Sequence, residues 1–341
     1  MTGAGTGVAG APAAGLRTRL LAHVQTWRPY TMLYIGLVGL AGGLLNDPRA
    51  SGWALAGAWA VPTLGWIGGH YGGDYFDRRL DAVAKPHRPI PSGRMPARDG
   101  LAGLVACTAG GAVAALLLNW RTLFLVAAAL AAGLGYSAVL KARGLSGNLI
   151  RGSLTAFALL FGAMATAPYP APYVLPVAAV FLLHDMQSNL VGTLRDIGGD
   201  REAGYETFPV RRGARPTVRV VVAVSVLWVA LAGAVPALSP SGPDGDAARW
   251  AAYLPVLALC ALLAAAAIGL LARAPEPMPP PVALRAHAVL VVERVALAGA
   301  FVGLAAGPVV MLAATLPALL ATIVLQAGMR TRYEFGAATL A

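Results

Sequence analysis

Residues 70–94 read HYGGDYFDRRLDAVAKPHRPIPSGR, and within this stretch an apolar segment ends in a run of charged residues. Asp74, Asp77 and Asp81 are spaced i, i+3 and i+7, so on a helix their carboxylates share one face. They follow an apolar run that begins near Trp53, which places them at a helix C-terminus, where the helix dipole already carries partial negative charge. Three carboxylates there need a cation, and a hard divalent metal with oxygen ligands is the simplest candidate.

Basic residues follow these aspartates at once, namely Lys85, Arg88 and Arg94. The stretch could therefore hold a metal ion together with a phosphate-rich anion. A second stretch of this character, NLVGTLRDIGGDREAGYETFPVRRG, occupies residues 189–213. It carries two aspartates at the end of another apolar segment, Asp196 and Asp200, with the basic neighbours Arg195, Arg201, Arg211 and Arg212.

The composition is that of a membrane protein. Of the 341 residues, 57% are hydrophobic and only 12% are charged, and the mean hydropathy is +0.66. Soluble domains carry about 25% charged residues. The net charge of +11 comes from basic residues that cluster in short loops between apolar segments, so nucleic acid is excluded as a partner. Cys107 and Cys260 lie inside apolar stretches, and we expect neither a disulfide nor a metal thiolate.

Ten apolar segments predict an all-α fold, a polytopic bundle of transmembrane helices. Most of them reach the roughly 20 residues that are needed to cross a bilayer core. The ninth contains Glu293 and Arg294, which argues against an ordinary lipid-facing helix, so the predicted number of helices is nine or ten. The segments span residues 30–45, 53–73, 100–119, 122–140, 148–167, 173–194, 217–238, 250–272, 284–306 and 308–326.

The chain is predicted to have three parts. Residues 1–26 form an N-terminal tail, which is expected to be disordered because its beginning is rich in alanine and glycine and lacks the features of a signal peptide. Residues 27–330 form one transmembrane domain, and residues 331–341 form a C-terminal tail. Two turn-rich stretches, 239–249 and 274–281, are linkers within the domain.

The distribution of arginine and lysine predicts the orientation in the membrane. The N-terminus and the loops at 74–99, 141–151 and 195–219 are basic, whereas the alternate connections carry little positive charge. By the positive-inside rule, the basic loops and both aspartate clusters are cytoplasmic, in a multi-pass protein of the cell (inner) membrane. Arg330 and Arg332 favour the same side for the C-terminus, and hence ten helices rather than nine.

The two aspartate clusters are expected to form one site, because both lie at the same side of the membrane and can face each other across a cavity. Carboxylates with bound Mg²⁺, together with neighbouring Lys and Arg side chains, make a cage for a diphosphate. Taken singly, a pair of aspartates at a helix end is more often a solvated turn, and a basic loop is more often a topology signal. Their occurrence together at matching depth favours the joint site.

Both stretches resemble the UbiA superfamily of intramembrane prenyltransferases. GDYFDRRLDAVAKPHRPIPSGR is similar to the first aspartate motif, NDxxDxxxD followed by KxRPxxSG, and RDIGGDREAGYETFPV is similar to the second, DxxxD followed by Gly and a Thr-Leu-Pro-like stretch. Tyr136, Lys141 and the Gly-Asn pair at 147–148 resemble the loop between the fourth and fifth helices. The resemblance covers residues 27–215 and implies a helical bundle whose active site opens within the membrane. It also implies Mg²⁺-dependent transfer of an allylic isoprenoid from its diphosphate to an aromatic or other lipophilic acceptor.

The resemblance also implies roles for individual residues. The Mg²⁺ ligands, directly or through water, would be Asp74, Asp77, Asp81, Asp196 and Asp200, and all but Asp81 are predicted to be catalytic. The diphosphate would be bound by Lys85, Arg88, Tyr136, Lys141 and Arg201. One departure is Gly73, which stands where the family has asparagine and removes an oxygen ligand. Water would have to replace it, or His70 one turn earlier, although imidazole is a poor ligand for Mg²⁺.

The apolar segment before the second motif, FLLHDMQSNLVGTLRD, is unusually polar for a membrane helix. Asp185 and Asn189 lie on the same helix face as the second motif, and Asp185 is about 16 Å along the helix from its first aspartate. An ionisable residue at that depth is a functional candidate by default. With His70, these two residues are predicted to line the acceptor pocket; the alternative for Asp185 is an internal pair with His184 or Arg294.

Two other functions remain open at this point. The first is a terpene cyclase of the same superfamily, in which the cation formed from the prenyl diphosphate is quenched within the molecule. The second is a cation-coupled transporter, although the acids lie at the membrane edge and no inverted repeat with broken helices is evident. The expected partners of the enzyme are a prenyl diphosphate, a lipophilic acceptor and membrane lipid, and no obligatory protein partner is inferred.

Overall fold

The computed structural model describes residues 15–238 and 247–336. These residues contain thirteen α-helices, a 3₁₀ turn at Trp120–Thr122, a turn of π-helix at Tyr136–Leu140 and a two-residue strand at Glu206–Thr207. The all-α fold is therefore confirmed. In chain order the helices are α1 (Leu16–Trp27), α2 (Pro29–Asn46), α3 (Gly52–Phe76), α4 (Arg78–Ala84), α5 (Ala97–Leu118), α6 (Leu123–Gly135), α7 (Gly144–Thr166), α8 (Val174–Arg195), α9 (Ile197–Glu202), α10 (Phe208–Arg212), α11 (Ala214–Leu238), α12 (Ala247–Ala272) and α13 (Pro280–Phe335).

Each of the ten predicted apolar segments folds as a helix. The ninth and tenth are the two halves of α13, which breaks at Gly307 (φ 82°, ψ 175°) just before Pro308. That backbone conformation is open only to glycine, and the proline cannot continue the preceding hydrogen-bond pattern. In the described residues six helices are both long and apolar enough to cross a membrane, namely α5, α7, α8, α11, α12 and α13, and the span Trp120–Gly135 is a shorter apolar helix.

The outer surface of the bundle is apolar. Large hydrophobic side chains are exposed along α5, α6, α12 and α13, among them Leu117, Phe124, Leu262 and Val324. Contiguous apolar surface of this kind is unfavourable in water, whereas lipid tails are as apolar as leucine and can cover it. The protein is therefore an integral membrane protein, as the sequence predicts.

Small residues let the central helices approach closely. A Cβ atom placed on Gly162 of α7 would stand 1.9 Å from the carbonyl oxygen of Gly39 in α2. α7 and α8 meet in the same way at Gly152, where a Cβ atom would stand 2.3 Å from the carbonyl oxygen of Leu182. Close backbone packing holds helices together in lipid, where no hydrophobic effect drives them together. α7 and α8 lie side by side as a result, so polar residues on both can reach one cavity.

The N-terminal tail is shorter than predicted. Residues 16–27 form α1, in which Ala22 and Thr26 are buried. Trp27 at the end of this helix donates from its indole nitrogen to the hydroxyl oxygen of Tyr71 at 2.6 Å. The expectation of disorder over residues 1–26 is wrong for this part, because packing against α3 stabilises a helix whose own composition is not strongly apolar. Residues 1–14 lie outside the described part.

The C-terminal boundary lies later in the chain than predicted. α13 continues to Phe335, so the beginning of the expected tail at 331–341 is helical. Tyr333 within it is only 6% exposed, which shows that this last turn packs inside the bundle. Residues 337–341, and most of the predicted linker at 239–249, lie outside the described residues.

Candidate active site

A cavity of about 650 Å³ opens between the ends of α3, α4, α8, α9 and α13. Eight Lys or Arg side chains and seven Asp or Glu side chains line it, so the charges nearly balance within the cavity itself. The structure thus brings both aspartate clusters to one place. The lining includes all five of the predicted metal ligands, Asp74, Asp77, Asp81, Asp196 and Asp200.

The first aspartate motif spans the junction of two helices. α3 gives way to α4 at Asp77 (φ −80°, ψ 0°), so the predicted single helix bends within the motif. Lys141 Nζ lies 2.7 Å from Asp77 Oδ2. Arg88 Nη1 lies 2.9 Å from Asp81 Oδ2, and burial of the Asp81 carboxyl raises its pKa although Arg88 opposes that effect. Each carboxylate is therefore neutralised by a basic side chain that the sequence assigns to the diphosphate.

Asp74 is held by two residues outside the predicted site, Arg28 and Tyr333. Arg28 Nη2 donates to Asp74 Oδ1 at 2.7 Å, and the Tyr333 hydroxyl lies 2.9 Å from both oxygens of this carboxylate. Arg28 joins α1 to α2 in a left-handed conformation (φ 48°, ψ 64°), which is uncommon for a residue with a side chain. No spacing in the sequence points to these contacts, because Tyr333 is 259 positions away from Asp74.

The second aspartate motif also lies where one helix ends and another begins. Asp196 follows α8 and receives two hydrogen bonds from Arg195, at 2.9 Å and 2.6 Å, while Lys85 Nζ lies 3.6 Å away. Burial would raise the pKa of Asp196, but Arg195 and Lys85 outweigh it and lower that pKa to about 2. Asp200 has no Lys or Arg within ion-pair distance among the described residues, and burial together with the Asp196 charge raises its pKa to about 6. Asp200 is therefore the carboxyl group that most needs a cation.

Glu334, in the segment predicted to be a C-terminal tail, is a further acidic residue of the site. Its carboxylate lies 3.1 Å from Lys85 Nζ, 3.1 Å from Arg195 Nη1 and 3.6 Å from Arg88 Nη2. These three side chains surround one carboxylate in the way they would surround a phosphate group. The only signal in the sequence is the cluster of charges after the last apolar segment, which does not indicate where α13 ends in space.

Lys141 reaches the cavity from a turn of π-helix. That turn covers Tyr136–Leu140, and the Lys141 amide donates to the Tyr136 carbonyl oxygen at 2.9 Å. The following segment pairs with the chain after α9, where the Glu206 amide donates to the Ala142 carbonyl oxygen at 3.0 Å. A π-turn of this kind is frequent at functional sites. The pairing ties the loop of Lys141 to the loop of the second aspartate motif. Tyr136, which is predicted to bind the diphosphate, lines the same cavity.

Arg201 and Gly73 are the two motif positions where this protein departs from the expected diphosphate site or from the family pattern. Arg201 is exposed and is not among the lining residues, so the structure does not bring it to the diphosphate site; it lies on α9, which presents Asp200 inward. Gly73 does line the cavity, and a Cβ atom there would meet nothing within 4 Å. The space for the asparagine side chain of the family is therefore present although the side chain is not.

The predicted acceptor residues line the inner part of the cavity, and they are His70, Asp185 and Asn189. Asn189 Oδ1 accepts from the amide of Asn148 at 2.8 Å. Both alternatives for Asp185 are present in the structure. It lines the cavity, and its Oδ1 also lies 3.7 Å from His184 Nδ1 and 3.9 Å from Arg294 Nη1.

The donor chemistry of the cavity suits Mg²⁺, but no metal cage is assembled. In the described residues no three Asp, Glu, His or Cys side chains stand close enough together to hold a metal ion. The reason is that Asp74, Asp77, Asp81 and Asp196 each face a basic group. Mg²⁺ prefers oxygen ligands and commonly takes one or two carboxylates together with substrate phosphates and water. The carboxylates fit that pattern, with the phosphates as the remaining ligands.

Comparison with known proteins decides the family. Residues 30–280 match the UbiA prenyltransferase family. The chain belongs to this family. The digeranylgeranylglyceryl phosphate synthase of Korarchaeum cryptofilum is 30% identical over 213 residues, which cover 62% of this chain and 75% of the relative. The synthase of the same name from Ignicoccus hospitalis is 30% identical over 265 residues, which cover 76% of this chain and 84% of the relative.

Solved structures show the same fold as this UbiA chain. The structure of a digeranylgeranylglyceryl phosphate synthase has a TM-score of 0.63 at 23% identity, with 84% of this chain and 98% of the other covered. The structure of a UbiA homologue from Archaeoglobus fulgidus bound to GPP and Mg²⁺ has a TM-score of 0.62 at 15% identity, with 81% and 99% covered. The UbiA fold predicted from the two motifs is therefore confirmed.

Membership of the UbiA family settles the reaction class. The protein is a prenyltransferase, as the aspartate motifs and basic residues predict. Membership also argues against the cation-coupled transporter.

Proposed function

We propose that this protein carries out Mg²⁺-dependent transfer of an isoprenoid from an allylic prenyl diphosphate to a lipophilic acceptor. The observation that carries the proposal is the cavity in which both aspartate clusters meet a set of basic side chains, Lys85, Arg88, Lys141 and Arg195. Related structures of the same fold were solved with DMAPP or GPP together with Mg²⁺, and family membership supports the same type of donor here.

Binding of the diphosphate exchanges the ion pairs of the cavity. Without it, Lys141 and Arg88 neutralise Asp77 and Asp81. With it, these two basic side chains and Lys85 turn to the phosphate oxygens, because a diphosphate offers more charge and more acceptor atoms than one carboxylate. Asp77 and Asp81 are released by this exchange, and with Asp200 they become available as Mg²⁺ ligands, directly or through water. Asp74 and Asp196 complete the proposed set, each with one basic partner still beside it, Arg28 and Arg195. Mg²⁺ bound there would act as a Lewis acid that neutralises charge on the leaving diphosphate.

The basic residues stabilise the reaction by holding the leaving group. The bond between the allylic carbon and the diphosphate oxygen breaks, and its electron pair leaves with the diphosphate. The side chains of Lys85, Arg88 and Lys141 are largely buried beside the cavity, where counter-charges stabilise the growing negative charge strongly. The acceptor then supplies an electron pair to the allylic carbon and loses a proton.

The hydrocarbon tail has its own apolar region of the cavity. Side chains of α3, α5, α6 and α7 form this region, including Val61, Leu104, Leu125, Phe157 and Phe161. Apolar walls keep water away from the allylic cation, which water would otherwise capture as an alcohol. Lipid lies beyond these helices, so a long tail can extend from the cavity into the bilayer.

We also propose the orientation that the basic loops predict. Both aspartate clusters would face the cytoplasm, in the cell (inner) membrane, because arginine and lysine are concentrated in the loops on that side. The domain that performs the reaction then extends beyond residues 27–330, since α13 brings Glu334 to the cavity and Tyr333 to the carboxylate of Asp74.

The proposal is tested with purified protein in nanodiscs, Mg²⁺ and prenyl diphosphates of increasing length, with an extract of candidate acceptors. We expect Asp74→Asn and Asp196→Asn each to lower turnover by about 100-fold or more, as losses of charge-stabilising groups do. Asp99→Asn is the matched control, because Asp99 pairs with Arg19 outside the cavity. Full turnover in both site variants would contradict the proposal, and mass spectrometry separates an acceptor adduct from a cyclised hydrocarbon.

A further inference from the structure

Four arginines that follow the second aspartate motif lie outside the cavity. Arg211 and Arg212 are exposed in the last turn of α10, and neither is among the residues that line the cavity. Arg215 and Arg219 follow in the first two turns of α11, where they are exposed and also outside the cavity. Prenyl transfer in the cavity therefore leaves these four positive charges without a role.

The same basic surface extends to the end of α12. Arg215 Nε lies 3.2 Å from Glu276 Oε1, in the connection between α12 and α13. Arg273 is exposed and precedes Glu276 by three residues. The arginine surface, as we call it, thus joins the beginning of α11 to the end of α12, and it consists of Arg211, Arg212, Arg215, Arg219 and Arg273.

The arginine surface carries a large excess of positive charge. Residues 211–219 read RRGARPTVR and contain no acidic residue. Within the described part of the chain, the pair of Arg215 with Glu276 is the only ion pair that the five arginines form, and its side chains are 77% and 48% exposed. Five guanidinium groups beside one carboxylate leave a net charge of +4. An anion is needed to balance it.

α11 carries apolar side chains directly after the arginines, on the same face. Arg215, Arg219, Val222 and Val226 are spaced 4, 3 and 4 residues apart, so they form one stripe along the helix. Val222 is 39% exposed and Val226 is 63% exposed. The stripe therefore changes from charged to apolar over about 16 Å.

This order of groups fits a phospholipid, whose phosphate lies at the membrane surface and whose acyl chains lie below it. α11 is long and apolar enough to cross the membrane, so its exposed valines face lipid. A zwitterionic lipid brings its own positive charge beside the phosphate, whereas an anionic lipid brings net negative charge that basic clusters attract. A soluble acidic protein could balance the charge but could not reach valines in the hydrocarbon region.

We propose that the arginine surface binds the phosphate group of an anionic phospholipid, with an acyl chain along Val222 and Val226. Planar guanidinium groups suit this ligand, because each can donate two hydrogen bonds to phosphate oxygens. The inference goes beyond prenyl transfer and does not depend on it, since none of these residues lines the cavity. α10 connects the second aspartate motif to α11, so the bound lipid also holds the segment after this motif at the membrane surface.

The test is a competition between two lipids. Purified protein in detergent is mixed with equal amounts of phosphatidylglycerol and phosphatidylcholine that have the same acyl chains, and native mass spectrometry counts the molecules of each that stay bound. We expect the normal protein to prefer phosphatidylglycerol by about 10- to 100-fold. Arg215→Gln with Arg219→Gln should lose most of this preference, because each basic side chain near an anionic surface contributes about fivefold.

Arg17→Gln with Arg98→Gln is the matched control. It removes the same charge from two exposed arginines that lie outside both the cavity and the arginine surface, and it should keep the full preference. Arg219→Gln with Arg273→Gln leaves the pair of Arg215 with Glu276 intact and should lose the preference too, which covers the case that the first variant does not fold.

Three results would overturn the inference. The first is equal retention of the two lipids by the normal protein. The second is a preference that survives in the glutamine variants of the arginine surface, or that the control loses to the same extent, because diffuse charge would then select the lipid. The third is binding of polyglutamate to the normal protein in neutral nanodiscs without competition from phosphatidylglycerol, which would assign the surface to an acidic protein.

Discussion

Glu334 offers a direct test of how positive and negative charges balance in the cavity before substrate binds. Its carboxylate lies among Lys85, Arg88 and Arg195, the side chains that would hold the diphosphate. The substitution Glu334→Gln keeps the size of the side chain and removes its charge. We expect it to destabilise the substrate-free protein and, at the same time, to strengthen binding of the diphosphate.

The magnitudes follow from the distances. At an effective dielectric constant of about 20, two unit charges 3.1 Å apart, as in the pairs of Glu334 with Lys85 and Arg195, attract by about 5 kcal/mol. The cost of desolvation offsets part of this attraction. Removing one partner of a buried ion pair typically costs about 3–5 kcal/mol of stability. For the ligand, removal of a competing negative charge next to the phosphate oxygens should increase affinity by about 10- to 100-fold, or about 1.4–2.8 kcal/mol.

The assay is thermal unfolding in nanodiscs, with and without geranylgeranyl thiolodiphosphate and Mg²⁺, and a titration of the same analogue. Glu334→Gln should lower the Tm of the free protein and give a larger upward shift with the analogue than the normal protein gives. Glu276→Gln is the control, because Glu276 forms an exposed pair with Arg215 whose loss costs little. Weaker binding of the analogue to a folded Glu334→Gln protein would refute the reasoning and make Glu334 a ligand of the bound complex.

Three further outcomes are expected. The raised pKa of Asp200, about 6, means that this carboxyl is protonated below pH 6, so Mg²⁺ affinity should fall by up to about tenfold per pH unit below that value. In a Mg²⁺ titration at several pH values, Asp200→Asn should lack this pH dependence. The same pH dependence in that variant would exclude Asp200 as its source. Gly73→Asn should raise Mg²⁺ affinity without loss of Tm, because its Cβ meets nothing within 4 Å, and an unchanged affinity would show that water already serves as the ligand. In a cysteine-free background, single cysteines at the exposed positions Ser92 and Glu202 should resist an impermeant thiol reagent applied to intact cells, and labelling at only one of them would place the two motifs on opposite faces.

The aspartate clusters show what could be predicted and why. Asp74, Asp77 and Asp81 are close in the chain, so their common position follows from helix geometry alone. That the second cluster joins them in one cavity follows from hydropathy, because both clusters end apolar segments on the same side. The break between α3 and α4 at Asp77 could not be predicted, since the spacing of the three aspartates fits one continuous helix equally well.

The errors at the two ends of the chain have a common cause. α1 and the last turn of α13 are weakly apolar, so composition assigns both to tails. In the structure each is held by a few specific contacts, such as those of Trp27 with Tyr71 and of Tyr333 with Asp74. Arg201 shows the opposite case, a residue that is expected in the site and lies outside it. Its position in the motif suggests the diphosphate, but α9 turns it outward while Asp200 on the same short helix faces inward.

The sequence by itself determines the membrane class, the ten helical segments, the family and the residues of both aspartate motifs, because hydropathy, helical spacing and local motifs are properties of neighbouring residues. Only the tertiary structure decides which charged side chain contacts which partner. Arg28 with Asp74, Glu334 with Lys85 and Arg151 with Trp66 all join separate helices of the bundle. Such contacts depend on how the helices pack in lipid, where small residues set the approach distance and a buried charge is stable only beside its partner.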